Sequence, residues 1–296
     1  MPAELRRATS LDELGDKASR LVTRESYDAG RAFVPRPTDI IISPFAKCGT
    51  TWLQQMVHTL RTGGDLDFDD ISSVVPWLET ALDVGIDLQA TQRAEPRAFK
   101  SHLSWDDVPK GARYIVSVRD PRDAYVSQYQ FFEGWFFEPG SIDIGEPARA
   151  MFLKGRHYYS HLLSWLGRSS DPDSLLLAYE QATKDHEGTV RRVAEFVGFG
   201  GDEDRIAAAI EESSLKSMKA HEDKYSDPMM RARSETACDL PLGGDSRKVR
   251  DGIVGSHRYE LSGTLLEEFD VAWAETIEAE LGFANYEVLL DSLARC

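Results

Sequence analysis

Asp39-Ile40-Ile41-Ile42-Ser43-Pro44-Phe45-Ala46-Lys47-Cys48-Gly49-Thr50-Thr51-Trp52 holds, in order, a strand, a tight loop and the start of a helix. Residues 39–43 form a short β-branched run stopped by a proline, the pattern of a buried strand. Beyond the loop, Trp52, Leu53, Met56, Val57 and Leu60 recur on one face at a 3.6-residue period, which predicts a helix. Thr50 or Thr51 can cap its first turn. A strand that feeds a glycine-containing loop at a helix N-terminus makes an anion site. The first backbone N–H groups have no helical partners, and the helix dipole favours negative charge there. Lys47 adds a full positive charge, and the threonine hydroxyls add donors. Such a loop suits a phosphate or a sulfate. It is P-loop-like without being a Walker A loop, in which the lysine follows the second glycine. Here Lys47 precedes Gly49, and no upstream glycine opens the loop.

Working outward, further strands are predicted at residues 97–102, 113–118 and 174–179. Helices are predicted at 11–22, 185–197, 204–213 and 264–281, with a short one near Pro76-Trp77-Leu78. Strands alternating with helices imply an α/β fold, a mainly parallel central sheet flanked by helices. No repeat and no Pro- or Ser-rich linker divides the chain, so residues 1–296 read as a single domain. The polar stretch 221–248, with Gly243-Gly244, reads as a long mobile loop.

Composition narrows the class. A net charge of −16 over 296 residues argues against a nucleic-acid partner, whose binding rests on a basic face. An anionic ligand must then be held by local cations and amides against the overall field. Three cysteines, Cys48, Cys238 and Cys296, lie far apart with no Cys/His cluster, which suits a reducing compartment and offers no zinc site. No signal peptide and no apolar run of membrane-spanning length is legible, so the expectation is a cytoplasmic protein without stable membrane insertion. Oligomeric state is not legible.

Three further segments carry chemistry. Lys100-Ser101-His102-Leu103 closes a predicted strand, and ligands of open α/β sheets collect beyond the carboxyl ends of strands. His102 there suits a general base for a hydroxyl acceptor. Arg119-Asp120-Pro121-Arg122-Asp123, followed by Ser127, closes the next strand. Arginine forks onto phosphate and a serine hydroxyl adds one bond, although Arg119 or Arg122 with Asp123 could equally be a surface ion pair. Arg250-Asp251-Gly252-Ile253-Val254-Gly255 offers glycine-flanked amides that can approach a phosphate closely, with Arg247 and Lys248 just upstream.

Together these segments resemble the cytosolic-type sulfotransferases over about residues 39–258. Lys47-Cys48-Gly49-Thr50-Thr51-Trp52 resembles their Lys-Ser-Gly-Thr-Thr-Trp loop, with Cys48 in place of Ser. Lys100-Ser101-His102-Leu103 resembles Lys-Thr-His-Leu, and residues 119–127 resemble Arg-Asn-Pro-Lys-Asp-x-x-x-Ser. Residues 250–258 resemble Arg-Lys-Gly-x-x-Gly-Asp-Trp-Lys, with Asp251 replacing a basic residue. Tyr179-Glu180 and Ser213-Ser214-Leu215-Lys216-Ser217-Met218-Lys219 complete the set.

The resemblance implies a cosubstrate, 3′-phosphoadenosine 5′-phosphosulfate (PAPS), with its desulfated form PAP as product and no metal requirement. It makes Lys47, Lys100 and His102 catalytic. It places Lys47 to Trp52, Arg119, Ser127, Tyr179, Leu215, Arg250, Asp251 and Gly252 on the nucleotide. Leu215 stands where the family has an adenine-contacting Phe, which leaves Trp52 as the main stacking ring. The aromatics Phe45, Trp77, Phe132, Trp135 and Phe136 are the candidate wall for a small-molecule or lipid acceptor. Two rival readings are a P-loop-type nucleotide-dependent kinase and a nucleotide-binding protein without catalysis.

Overall fold

The computed structural model describes residues 5–246, 248–249 and 252–293. Its centre is a four-stranded sheet of β1 (Ile40–Ile42), β2 (Ala98–Lys100), β3 (Arg113–Val118) and β4 (Ser174–Ala178), in the order β2-β1-β3-β4. All three pairings are parallel, with Ile41 opposite both Phe99 and Tyr114 and Val116 opposite Leu176. The strands are buried on both faces, which explains their continuous apolar runs. Alternation still sorts them. Ile41, Phe99, Tyr114 and Val116 enter one core, while Ile40, Ile42, Ala98, Ile115 and Leu177 enter the other.

Strands β1 and β2 are shorter than predicted, and side-chain chemistry sets their start. Asp39 and Arg97 each precede a strand, and they form a forked ion pair with Nε–Oδ1 at 3.0 Å and Nη2–Oδ2 at 2.6 Å. Both side chains are almost wholly buried, and Asp39 also accepts from the Arg36 N–H at 2.8 Å. Removing one partner of such a pair leaves an uncompensated buried charge. Arg97→Ala is therefore expected to lower the unfolding free energy by about 3 kcal/mol, read as a lower denaturant midpoint at unchanged slope. A loss below about 1 kcal/mol would show the pair to be dispensable.

The helix Thr50–Thr62 buries Leu53, Met56, Val57 and Leu60 in the second core and ends at Gly63 in the left-handed region. Residues 264–281 are helical nearly throughout: an α-helix Gly263–Trp273, a π segment Ala274–Glu278 and a last turn Ala279–Leu281 stopped by Gly282. A helix at His157–Leu166, absent from the sequence reading, buries Tyr158, Tyr159, Leu162 and Trp165. The predicted loop 221–248 is corrected by a 3₁₀ turn, Glu222–Tyr225, and a helix, Pro228–Ala237. Proline at the first helical position should have signalled that start. The polar exterior of this helix masked the inward Met230 and Ser234.

Strand order decides where a ligand can sit. The chain leaves β1 for β2 on one side, then crosses to β3 and β4 on the other. The loops after β1 and β3 diverge, and a crevice opens between them at the carboxyl end of the sheet.

Candidate active site

The loop after β1 is held open by its backbone. Lys47 and Gly49 both have positive φ, 67° and 88°. A Cβ at Gly49 would meet the Tyr179 ring at 3.0 Å, so glycine is needed for space as well as for conformation. Gly49 is the N-cap and offers no side-chain cap to the helix behind it. The Thr50 Oγ1 is buried and has no partner among the described residues. An uncapped helix start beside an orphaned hydroxyl fits an anionic ligand. Cys48 faces the other way. Its side chain is buried, its N–H donates to Phe45 O at 3.2 Å, and its carbonyl accepts from Ser117 Oγ. Burial pushes the Cys48 thiol up to about 12, which keeps it protonated.

His102 follows β2. Its Nδ1 lies 2.8 Å from the Pro44 carbonyl, which can only accept, so Nδ1 carries the proton. Nε2 is left as a lone-pair acceptor with no partner among the described residues. The His102 N–H donates to the buried Glu79 carboxyl at 2.7 Å, which fixes the backbone, and Trp77 packs edge-on at 5.1 Å. Burial and the neighbouring Lys100 charge hold the imidazole well below its ordinary value, in the neutral form a base requires. Lys100 is itself buried with its ammonium 3.8 Å from the Trp77 ring centroid, and burial pushes it down to about 7. The Lys47 ammonium lies 4.0 Å from the Phe131 ring centroid.

Arg119 follows β3. Its guanidinium donates to Lys47 O at 3.0 Å and Ile253 O at 3.4 Å and lies 4.5 Å from the Tyr179 ring centroid, while its Nε has no partner among the described residues. The ion pairs with Asp123 considered from sequence do not form. Arg122 pairs with Asp120 at 2.7 Å instead. Asp123 accepts from the N–H groups of Gly255 and His257, at 2.5 and 3.0 Å, and from His257 Nδ1 at 2.8 Å. Burial alone would raise this carboxyl, but the His257 and Gly255 bonds hold it at about 2. Asp123 thus ties the glycine-rich segment 252–257 to the helix Pro121–Phe132, which also carries Ser127.

These groups share one cavity of about 790 Å³. Thr50 to Trp52, Arg119, Ser127, Tyr179, Leu215 and Gly252 line it, as do Lys47, Lys100 and His102. Trp77, Phe132 and Trp135 line it together with Phe131, Leu21 and Met230. Three expected residues stand off the wall. Phe45 packs in the core against Phe152, Tyr158 and His161, Phe136 is fully buried against Phe132 and Trp135, and Cys48 backs the loop. Arg250 and Asp251 lie outside the described residues.

The sequence reading missed Asp227 and His186. Asp227 faces the cavity, almost fully buried, in an ion pair with Lys248. Its signal was the Asp-Pro pair that starts the unforeseen helix. Nothing in the sequence marked His186.

The chain matches the sulfotransferase domain over residues 37–279. It is 29% identical to sulfotransferase 2A1 of Rattus norvegicus over 257 residues, which cover 82% of this chain and 86% of the rat protein. It is 28% identical to 3-beta-hydroxysteroid sulfotransferase of Cavia porcellus, over 82% of this chain and 85% of that one. Its fold is similar to retinol dehydratase solved with androsterone and PAP, at a TM-score of 0.66 and 21% identity over 89% of this chain and 84% of that one. It is equally similar to mouse sulfotransferase SULT7A1 complexed with PAP, at 0.65 and 21% over 93% and 95%. With Lys47, His102 and Arg119 facing one cavity, and a domain match across most of its length, the chain belongs to the sulfotransferase family.

Proposed function

We propose that this sulfotransferase moves the sulfuryl group of PAPS to a hydroxyl or amine of an apolar small-molecule or lipid acceptor. The observation that carries the reading is the meeting of Lys47, from the loop after β1, with Lys100 and His102, at and just beyond the end of β2, on one cavity. PAPS supplies an activated sulfuryl group on a phosphate leaving group. The residues do the rest by position and charge. His102 Nε2 takes the acceptor proton. Lys47 offsets charge on the departing phosphate, and Lys100 orients the sulfuryl oxygens. Thr50 and the amides at the helix start hold the 5′ side. Arg119 and Ser127 hold the 3′-phosphate, and Trp52 supports the adenine. Trp77, Phe131, Phe132, Trp135 and Met230 would enclose an apolar acceptor body. The cytoplasm remains the expected location.

The test is labelled PAPS with a panel of apolar alcohols, phenols and amines, run with and without a divalent-ion chelator and beside ATP with magnesium. Transfer from PAPS that persists under chelation supports the reading. Transfer only from ATP with magnesium overturns it.

Arg119 gives a separate check on the nucleotide's placement. Arg119→Ala is expected to weaken PAP by about 2 kcal/mol, the scale of a charged hydrogen-bonding partner. An analogue lacking the 3′-phosphate should hardly lose affinity. Equal losses for both ligands would make Arg119 a purely structural brace of the Lys47 and Ile253 carbonyls.

A further inference from the structure

His186 opens the helix His186–Val197, and its ring forms part of the cavity wall beside Trp52. The two ring centroids are 5.5 Å apart with planes tilted by 39°. The indole is pinned by its own N–H, which donates to the Ser213 carbonyl at 2.8 Å. The protons in this corner can be assigned in turn. The Ser213 hydroxyl donates its single hydrogen to Ala209 O at 2.6 Å. His186 Nε2 lies 2.8 Å from the same hydroxyl oxygen, so Nε2 must bring the hydrogen of that contact. Burial lowers the basicity of this imidazole, which keeps it neutral. Nδ1 therefore holds a bare lone pair, and no described residue bonds to it.

We infer that His186 reads the base of the nucleotide, its Nδ1 accepting a hydrogen bond from the 6-amino group of adenine. The inference rests on the PAPS reading above and adds a residue that none of the sequence motifs contains. The proposed pose lays the purine on the Trp52 platform with its six-position edge toward His186, whose ring lies 5.5 Å away, centroid to centroid. Adenine offers an N–H donor there. A 6-oxo purine offers a carbonyl, which would oppose the Nδ1 lone pair. Trp52 holds any flat base, and His186 with Ser213 sets which one. The Ser213–Ala209 bond matters because it fixes the tautomer: a free hydroxyl could donate to Nε2 and turn Nδ1 into a donor.

The experiment compares binding of PAP with binding of 3′-phosphoinosine 5′-phosphate by calorimetry. The intact protein is expected to prefer PAP by about tenfold or more, as a site left with an unmatched polar group does. His186→Phe keeps a ring beside Trp52 but has no acceptor. It should bring the ratio close to one, chiefly by loss of PAP affinity. A ratio unchanged in His186→Phe, or equal losses for both ligands, overturns the assignment while leaving the PAPS reading standing. Failure of the unaltered protein to bind PAP overturns the PAPS reading and this inference with it. Nitrogen-15 spectra of the unaltered protein supply a second readout that needs no variant. They should show Nε2 protonated in the free protein, and an Nδ1 resonance that moves on adding PAP but not on adding the inosine analogue. An Nδ1-protonated ring in the free protein overturns the assignment.

Discussion

His102→Ala is expected to lower turnover with PAPS and a hydroxyl acceptor by about 10²–10⁴-fold while PAP affinity stays nearly unchanged. The proton on Nδ1 is committed to Pro44 O, so Nε2 is the one nitrogen able to take a proton from an acceptor. His102→Gln, which can donate but not serve as a base, should do no better than Ala. The pH profile sharpens the test. Burial and Lys100 hold the imidazole well below its usual value of 6.5, so it stays neutral as pH falls through that range. Loss of rate on the acid side should appear only below the ordinary histidine range. On the alkaline side, Lys100 in the free enzyme loses its proton as pH rises through about 7, which should lower kcat/KM for PAPS. Lys100→Arg, charged at all these pH values, should remove that limb. Near-normal turnover in His102→Ala would sink the assignment of the base.

Lys47→Met is expected to depress the chemical step by about 10²–10³-fold, on the scale of losing one preorganised charge partner at a developing anion. Methionine comes close to the length of the side chain but lacks the ammonium that lies over the Phe131 ring. Charge on the leaving phosphate grows toward the transition state, so kcat should fall far more than affinity for PAP. Single-turnover measurement separates the two. Parallel losses in binding and in rate would instead make Lys47 a ground-state anchor. The backbone adds a constraint, because Lys47 sits at positive φ and its carbonyl accepts from Arg119. Lys47→Ala loses the stem as well as the charge, and it should fail as badly as Met if charge is the reason.

Much of the donor half was legible because its chemistry sits where strands end. The runs Ile40–Ile42 and Arg113–Val118 announce themselves by β-branched content, and their loops carry Lys47 and Arg119 within a few residues. The rest was hidden by context. Phe136 looked like a pocket residue in a glycine-flanked turn, yet the chain folds it fully inward against Phe132 and Trp135. Phe45 stands next to the anion loop in sequence, but its ring points back into the core beside Tyr158. Asp227 was buried within a segment read as loop, and only the folded helix Pro228–Ala237 turns it to the cavity. His186 has meaning only through Ser213, 27 residues away. Single residues whose setting depends on a distant hydrogen-bond partner leave no periodic trace.

The walls of the cavity differ in how they are anchored. Lys47, Lys100, His102 and Arg119 stand at or just beyond the ends of hydrogen-bonded parallel strands, with an ion pair clamping two of those strands at the far end. Leu21 and Met230 come from connecting segments outside the sheet, whereas Trp77 bridges Lys100 and packs on His102, and Phe131 lies against Lys47. Exchanges at Leu21 and Met230 leave the sheet registers untouched. Descendants of such a chain could shift from one apolar acceptor to another by small steps in these segments, without rebuilding the machinery that handles the activated sulfate.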